Sequence, residues 1–150
     1  MKKFQFPLDT VLSYKEQILD GLKAEHAAIL AKVHACENEI ARLERERGLC
    51  VMEFEQKKVR GMAIKDIRTY ERYLEALRLK IRRKQAELKR LQDMEEIKRN
   101  EVVEARKETS SIEKLKEKRQ QEYNKMVMKE EEQFIEEFVM TRRAMAKLNG

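Results

Sequence analysis

The chain has 150 residues, of which 41% are charged and 6% are aromatic, with no Trp and a single Pro. A globular core needs wide apolar faces and large side chains, so this composition excludes an ordinary compact domain. Low hydropathy alone would fit a disordered chain, but periodic Leu and Ile among strong helix formers indicate folded helix. The net charge of +6 permits an anionic partner without identifying one.

The first predicted element is a helix from about residue 7 to about residue 58. Apolar side chains recur at alternating spacings of four and three residues, an average of about 3.5 that keeps one face of a supercoiled helix against a partner. Pro7 suits the first turn of a helix, and Asp9 is favourable near its positive end. The seam has fourteen positions, eleven of them apolar: Leu8, Leu12, Lys15, Leu19, Leu22, His26, Ile29, Val33, Cys36, Ile40, Leu43, Arg47, Cys50 and Phe54.

A turn is predicted at about residues 59–64, where the seam stops and Gly61 can adopt a left-handed conformation. A second helix is predicted from about residue 65 to about residue 145. Its seam begins with Ile67, Tyr70, Leu74, Leu77, Ile81, Lys84, Leu88 and Leu91. From Met94 onward the apolar residues are less regularly spaced, which predicts a slip of the heptad phase.

Two seams joined by a short turn predict an all-α fold, a long antiparallel two-helix coiled-coil hairpin whose second helix is the longer one. The whole chain, 1–150, is predicted to form this single coiled-coil domain. Folding about Gly61 places residue n opposite residue roughly 122 − n. The hairpin is expected to be a long rod.

The second helix is predicted to project beyond the first over residues 115–150, by about 50 Å. This stretch carries several aromatic and Met residues, more apolar surface than a solvated helix needs. Two interpretations are open. The stretch pairs with another copy of itself or frays, or it docks with another protein, for which Met-rich and Phe-rich helical faces are common.

No catalytic, cofactor or metal site is expected. His26 and His34, with Cys36 and Cys50, do not have the spacing of a metal-ligand set, and a two-helix rod offers no concave pocket for catalysis. His26 lies on the seam, where a polar residue more often sets register than binds a ligand. The cysteines are too far apart on one helix for a disulfide and are interpreted as small core residues of a cytosolic protein.

No membrane insertion and no signal peptide are expected, because no apolar run reaches the roughly 18 residues of a span and the start is too short and polar for a signal core. The basic stretch from Arg78 to Arg90 is interpreted as a solvated face, with an acidic protein surface as the next interpretation. Binding of nucleic acid is not expected, because apolar seam residues are interleaved with the basic ones.

Three stretches together bring a family into view: Phe4-x-Phe6-x-Leu8-x-x-Val11-Leu12-x-x-x-Lys15, then Gly61-Met62-Ala63-Ile64-Lys65-Asp66-Ile67-Arg68-x-Tyr70-x-x-Tyr73-Leu74, then Ile112-Glu113-Lys114-Leu115-Lys116-Glu117-Lys118-Arg119-x-x-Glu122-Tyr123. In this order and at these distances they resemble the FliJ family of flagellar export proteins. Ala63 departs from the family pattern, which often has Ser there, so the capping box with Asp66 is incomplete.

The resemblance implies a non-enzymatic component of the bacterial flagellar type III protein export apparatus. FliJ-like proteins are similar in shape to the central stalk of rotary ATPases. They are associated with the hexameric export ATPase FliI, the export gate protein FlhA and export chaperones. The implied location is cytoplasmic, peripheral at the cytoplasmic face of the inner membrane, and the chain is expected to be monomeric when free. The alternative is a generic cytosolic coiled-coil scaffold or homodimer that bridges other proteins, and geometry alone leaves an injectisome open.

The hairpin end that carries both termini is the predicted contact with the ATPase ring. The predicted partner-binding residues are Phe4, Phe6, Leu8, Leu115, Arg119, Tyr123, Met126, Val127, Phe134 and Phe138. Gly61 is the predicted hairpin turn.

Overall fold

The computed structural model describes residues 2–149, which form two helices, α1 over Asp9–Arg60 and α2 over Ile64–Asn149. The described residues are 93% helical and include no strand, and the two helices pack against each other. The predicted all-α antiparallel coiled-coil hairpin with a longer second helix is confirmed. Narrow apolar seams explain this choice, because each helix has only one stripe to bury and the other helix covers it.

The helices begin and end within a few residues of the bounds expected from sequence. Pro7 and Leu8 lie in a turn closed by the Asp9 N–H, which donates to the Phe6 carbonyl at 3.1 Å. α1 therefore begins just after Pro7 rather than at it. α2 continues to Asn149 because the last residues are mostly good helix formers.

Gly61 carries the chain out of α1. Its φ is 97°, in the left-handed region that favours glycine, and its N–H donates to the Lys58 carbonyl at 3.1 Å. Ala63 precedes the first residue of α2, and its carbonyl accepts from the N–H groups of Asp66 and Ile67 at 3.0 and 3.1 Å. Ala63 has no side-chain oxygen to cap the helix. The carboxylate of Asp66, in the first turn, instead interacts favourably with the positive end of the helix dipole.

The hairpin comprises two compact units, the turn unit Asp20–Val103 and the end unit, described over 2–19 and 104–149. In the turn unit, the hydrogen-bonded pairs Glu46–Tyr73, Cys36–Lys84 and His26–Glu95 have residue numbers that add up to 119, 120 and 121. In the end unit, Lys15–Glu108 and Asp9–Lys116 give 123 and 125. Both sets agree with the predicted register.

The core of the turn unit consists of two small clusters on the seams. One contains Val33, Cys36, Ile40 and Leu91, and the other contains Leu43, Leu77 and Ile81. Leu77 is the most deeply buried of these side chains, at 2% exposure. Cys36 and Cys50 are both buried free thiols, as the seam pattern predicted, and burial raises the pKa of the Cys50 thiol.

The predicted slip of the heptad phase does not occur directly after Leu91 but lies further along α2, where the half-buried positions 112, 116 and 120 are separated by four residues each. Glu95 and Lys98 continue the alternation of four and three residues and are half-buried, whereas Met94 is 44% exposed. These seam positions are polar because α1 supplies partners for them. His26 Nε2 lies 2.9 Å from Glu95 Oε1, and Lys98 Nζ donates to Glu25 at 2.8 Å.

Two positions of the first seam also differ from expectation. Arg47 is exposed, and the neighbouring Glu46 is half-buried in its place, where it accepts a hydrogen bond from the Tyr73 hydroxyl. Leu8 is 38% exposed, because it precedes α1 and lies in the turn that leads into the helix. Glu46 can take this half-buried position because the Tyr73 hydroxyl donates a hydrogen bond to its carboxylate. The guanidinium of Arg47 stays in solvent.

Candidate partner-binding end

Residues 2–8 precede α1 and pack on α2. The rings of Phe4 and Tyr123 lie 5.6 Å apart between centroids, tilted by 48°, and the Tyr123 hydroxyl donates to the backbone carbonyl of Lys2. Phe6 is buried at 7% exposure. A tilted aromatic pair buries a large apolar area, and the hydrogen bond of the tyrosine hydroxyl fixes the orientation of its ring. The N-terminal segment thus extends the cover of α2 beyond the first residue of α1.

Ion pairs across the helices fix the register of this end. Lys116 Nζ lies 2.7 Å from Asp9 Oδ1, and Lys15 Nζ lies 2.9 Å from Glu108 Oε2. The hydrogen bond to Glu108 raises the pKa of Lys15. Lys15 is thus a half-buried polar member of the predicted seam that stays charged and paired.

Thr109 is the buried polar side chain at this end, at 3% exposure. Its hydroxyl donates to the Ala105 carbonyl at 2.8 Å, so the group is satisfied within its own helix. Leu12 is buried on α1 at 6% exposure. A threonine can therefore take a seam position without a partner on the opposite helix.

The predicted partner-binding residues fall into two groups. Phe4, Leu115, Tyr123 and Val127 are half-buried and Phe6 is buried, so their contacts are largely made within the hairpin. The exposed members are Leu8, Arg119, Met126, Phe134 and Phe138. The structure brings Phe4 and Tyr123 together, and it places Phe134 and Phe138 beyond the covered part of α2.

Residues 128–149, the uncovered segment, are exposed at every position. Asp9, the first residue of α1, pairs with Lys116, and half-buried positions continue along α2 to Val127, so the uncovered segment starts later than residue 115. Its large apolar side chains include Phe134 at 70% and Phe138 at 57% exposure. Others are Met128, Ile135, Val139, Met140, Met145 and Leu148. Exposed apolar surface of this extent is typical of interaction sites.

A family model described as "Flagellar FliJ protein" matches residues 4–147. The chain belongs to the FliJ family. Membership implies a role related to flagellar export, and the matched range includes the N-terminal aromatic residues and most of the uncovered segment. No curated protein and no solved structure gives a significant match to the chain.

This FliJ-family chain also has an exposed apolar patch near the turn that the sequence reasoning missed. Leu49 is 69% exposed and Met52 is 61% exposed, and Leu49 lines a surface groove together with Cys50, Tyr70 and Tyr73. Apolar residues on α1 that lie off the seam were the signal that could have located this patch.

The tyrosines of the patch are held by a polar chain. Lys57 Nζ donates to the Tyr70 hydroxyl at 2.7 Å, and that hydroxyl donates to Glu53 at 3.0 Å. The hydrogen bond to Tyr70, followed by that to Glu53, raises the pKa of Lys57, and Lys57 in turn lowers the pKa of Glu53. The hydrogen bond to Glu46 raises the pKa of Tyr73.

Three of the seven basic residues between Arg78 and Arg90 pair with acidic residues of the same helix. Arg78 pairs with Glu75 at 2.7 Å, Lys84 with Glu87 at 3.1 Å, and Lys89 with Asp93 at 2.9 Å. Such pairs three or four residues apart are typical of a solvated helical face. They favour the interpretation of a charged surface over a nucleic-acid site.

Within residues 2–149, no group of three or more His, Cys, Asp or Glu side chains is arranged to hold a metal ion. Over the same residues, neither helix is long and apolar enough to cross a membrane. His26, the seam histidine, is instead paired with Glu95.

Proposed function

We propose that this FliJ-family chain is a non-enzymatic, stalk-like component of the bacterial flagellar type III export apparatus. In this proposal it engages a hexameric export ATPase ring and the export gate, and it assists delivery of chaperones and substrates. It acts in the cytoplasm, peripheral to the inner membrane. The observation that carries the proposal is the uncovered segment, a helix with large apolar side chains and no partner within the described hairpin.

The proposal gives the two groups of end residues different roles. Phe4, Phe6 and Tyr123 are positioning residues, because their contacts hold the N-terminal segment on α2. Met126, Phe134 and Phe138 are the contact residues, because more than half of each side chain is exposed. A single projecting helix suits a narrow ring pore, where aromatic side chains can be enclosed on several sides.

An ATPase turnover assay tests the proposal. The wild-type chain is expected to raise the turnover of its cognate hexamer. A Phe134→Ala/Phe138→Ala variant is expected to need at least about tenfold more protein for the same stimulation, because aromatic anchors dominate binding energy at interfaces. Leu49→Ala/Met52→Ala is the matched control, since it removes two exposed apolar side chains near the turn, and it should stimulate like wild type.

Photo-crosslinking locates the contact directly. A photo-reactive residue at position 126 or 134 is expected to crosslink to the ATPase, because both positions are exposed at the proposed contact. The same residue at position 49 is the control and should not reach the ring. Crosslinks from 126 and 134 that reached only the gate protein would contradict the assignment of this end to the ATPase.

A further inference from the structure

The uncovered segment continues the seam of the covered part of α2. From Val127, positions 131, 134, 138, 141, 145 and 148 follow at alternating spacings of four and three residues. Four of these six are Phe134, Phe138, Met145 and Leu148, all more than half exposed. The same alternation packs α2 against α1 in the turn unit, so this face is built for another helix with a similar seam.

The charges of the uncovered segment are divided between its two halves. Residues 129–137 contain five Glu and one Lys, a net charge of −4, whereas residues 140–149 contain Arg142, Arg143 and Lys147, a net charge of +3. Two such segments side by side attract each other when antiparallel, because each acidic half lies beside a basic half. Parallel alignment places like charges together and is disfavoured.

We propose that the uncovered segments of two copies of this chain pair as an antiparallel coiled coil. A two-fold axis between Phe138 and Thr141 brings Phe134 of one copy against Met145 of the second. Such an isologous contact requires a self-complementary surface, and both the seam and the charge division provide one. A helix of an unrelated protein would have no reason to match both.

The pairing is weak because it is short. A segment of 22 residues is about 33 Å long, which is close to three heptads. The chain therefore remains monomeric at low micromolar concentration and pairs as its concentration rises. Self-pairing does not depend on the proposed ATPase contact, although it uses the same face of α2.

Sedimentation velocity of the full chain from about 5 to about 500 µM tests the pairing. The average mass is expected to rise from monomer towards dimer in wild type and in the Leu49→Ala/Met52→Ala control. Phe134→Ala/Phe138→Ala should stay monomeric, with unchanged helix content because both side chains are exposed. Arg142→Glu/Arg143→Glu and Glu136→Arg/Glu137→Arg should each weaken association about tenfold, and their equimolar mixture should restore it.

Disulfide trapping tests the orientation. When Phe134→Cys and Met145→Cys variants are mixed under mild oxidation, mass spectrometry is expected to find 134–145 links in excess over 134–134 links. A majority of 134–134 links would show parallel pairing and overturn the proposal. Dimers that survive Phe134→Ala/Phe138→Ala would overturn it as well. A chain that stays monomeric throughout, with stimulation of the ATPase intact, would overturn self-pairing and leave the proposed function standing.

Discussion

Replacing glycine by alanine is expected to stabilise the folded state at Gly21 and Gly48 and to destabilise it at Gly61. Gly21 and Gly48 lie inside α1, and a Cβ added at either would meet nothing within 4 Å. Alanine there removes the entropic cost of a helical glycine without creating a clash. Gly61 also has open space, but its φ of 97° is a conformation that side-chain-bearing residues rarely adopt.

The expected magnitudes follow from this difference. Gly21→Ala and Gly48→Ala should each stabilise the folded state by about 1 kcal/mol. The two sites are roughly 40 Å apart along α1, so their effects should add to about 2 kcal/mol. Gly61→Ala should destabilise by about 1–2 kcal/mol, the cost of a left-handed conformation for an L-residue.

Urea unfolding followed by circular dichroism at 222 nm measures all four variants. The double variant should unfold at a higher urea midpoint than wild type, with an unchanged slope, and Gly61→Ala at a lower one. The single variants should lie between wild type and the double variant. A destabilising effect of Gly21→Ala or Gly48→Ala would refute the reasoning, because it would mean that α1 is not a continuous helix at that glycine.

Three further predictions concern the core and the titrating groups. Leu77→Ala should lower the free energy of unfolding by about 2–4 kcal/mol, because this side chain is only 2% exposed; a Leu49→Ala control should change it little in the same urea titration. Cys36 and Cys50 should react slowly with iodoacetamide until urea unfolds the chain, since both are buried and the raised pKa of Cys50 leaves less thiolate; fast alkylation in buffer would contradict their burial. Lys57 lowers the pKa of Glu53, so the Lys57–Glu53 pair stabilises the fold above the ordinary carboxyl pKa, and this stabilisation is lost as pH falls through the pKa of Glu53 in the folded chain. Glu53→Gln should therefore make the free energy of unfolding, measured by urea unfolding at a series of acidic pH values, depend less on pH in this range.

The helices and the turn could be predicted because their signals are local. An alternating spacing of apolar residues follows from the geometry of one supercoiled helix, whatever the partner is. Gly61 is followed by a new seam, so the sequence also located the reversal of the chain. Helix ends depend on single hydrogen bonds, such as that from Asp9 to the Phe6 carbonyl, and are therefore less certain from pattern alone.

The N-terminal segment could not be placed from periodicity. Phe4 and Phe6 were predicted as contacts for a partner, yet Phe6 is buried and Phe4 packs on Tyr123 within the chain. Residues 2–8 are not helical, so no period relates them to a face of α2. Their position follows from tertiary contacts that a one-dimensional pattern does not contain. The exposure of Phe134 and Phe138 could be predicted, because they lie on a helix whose partner helix has already ended.

Polar seam positions were the remaining difficulty, and they also explain why the hairpin has one register. Apolar seams alone tolerate a slip of one heptad, since Leu and Ile recur at every turn. Such a slip would place His26 opposite Val102 and Glu95 opposite Val33, and each half-buried polar group would lose its partner at a cost of about 1–3 kcal/mol. The His26–Glu95 contact at 2.9 Å therefore selects the native alignment. Because register decides which residues of α2 lie beside α1, this half-buried polar pair also limits how much of α2 is left for other molecules.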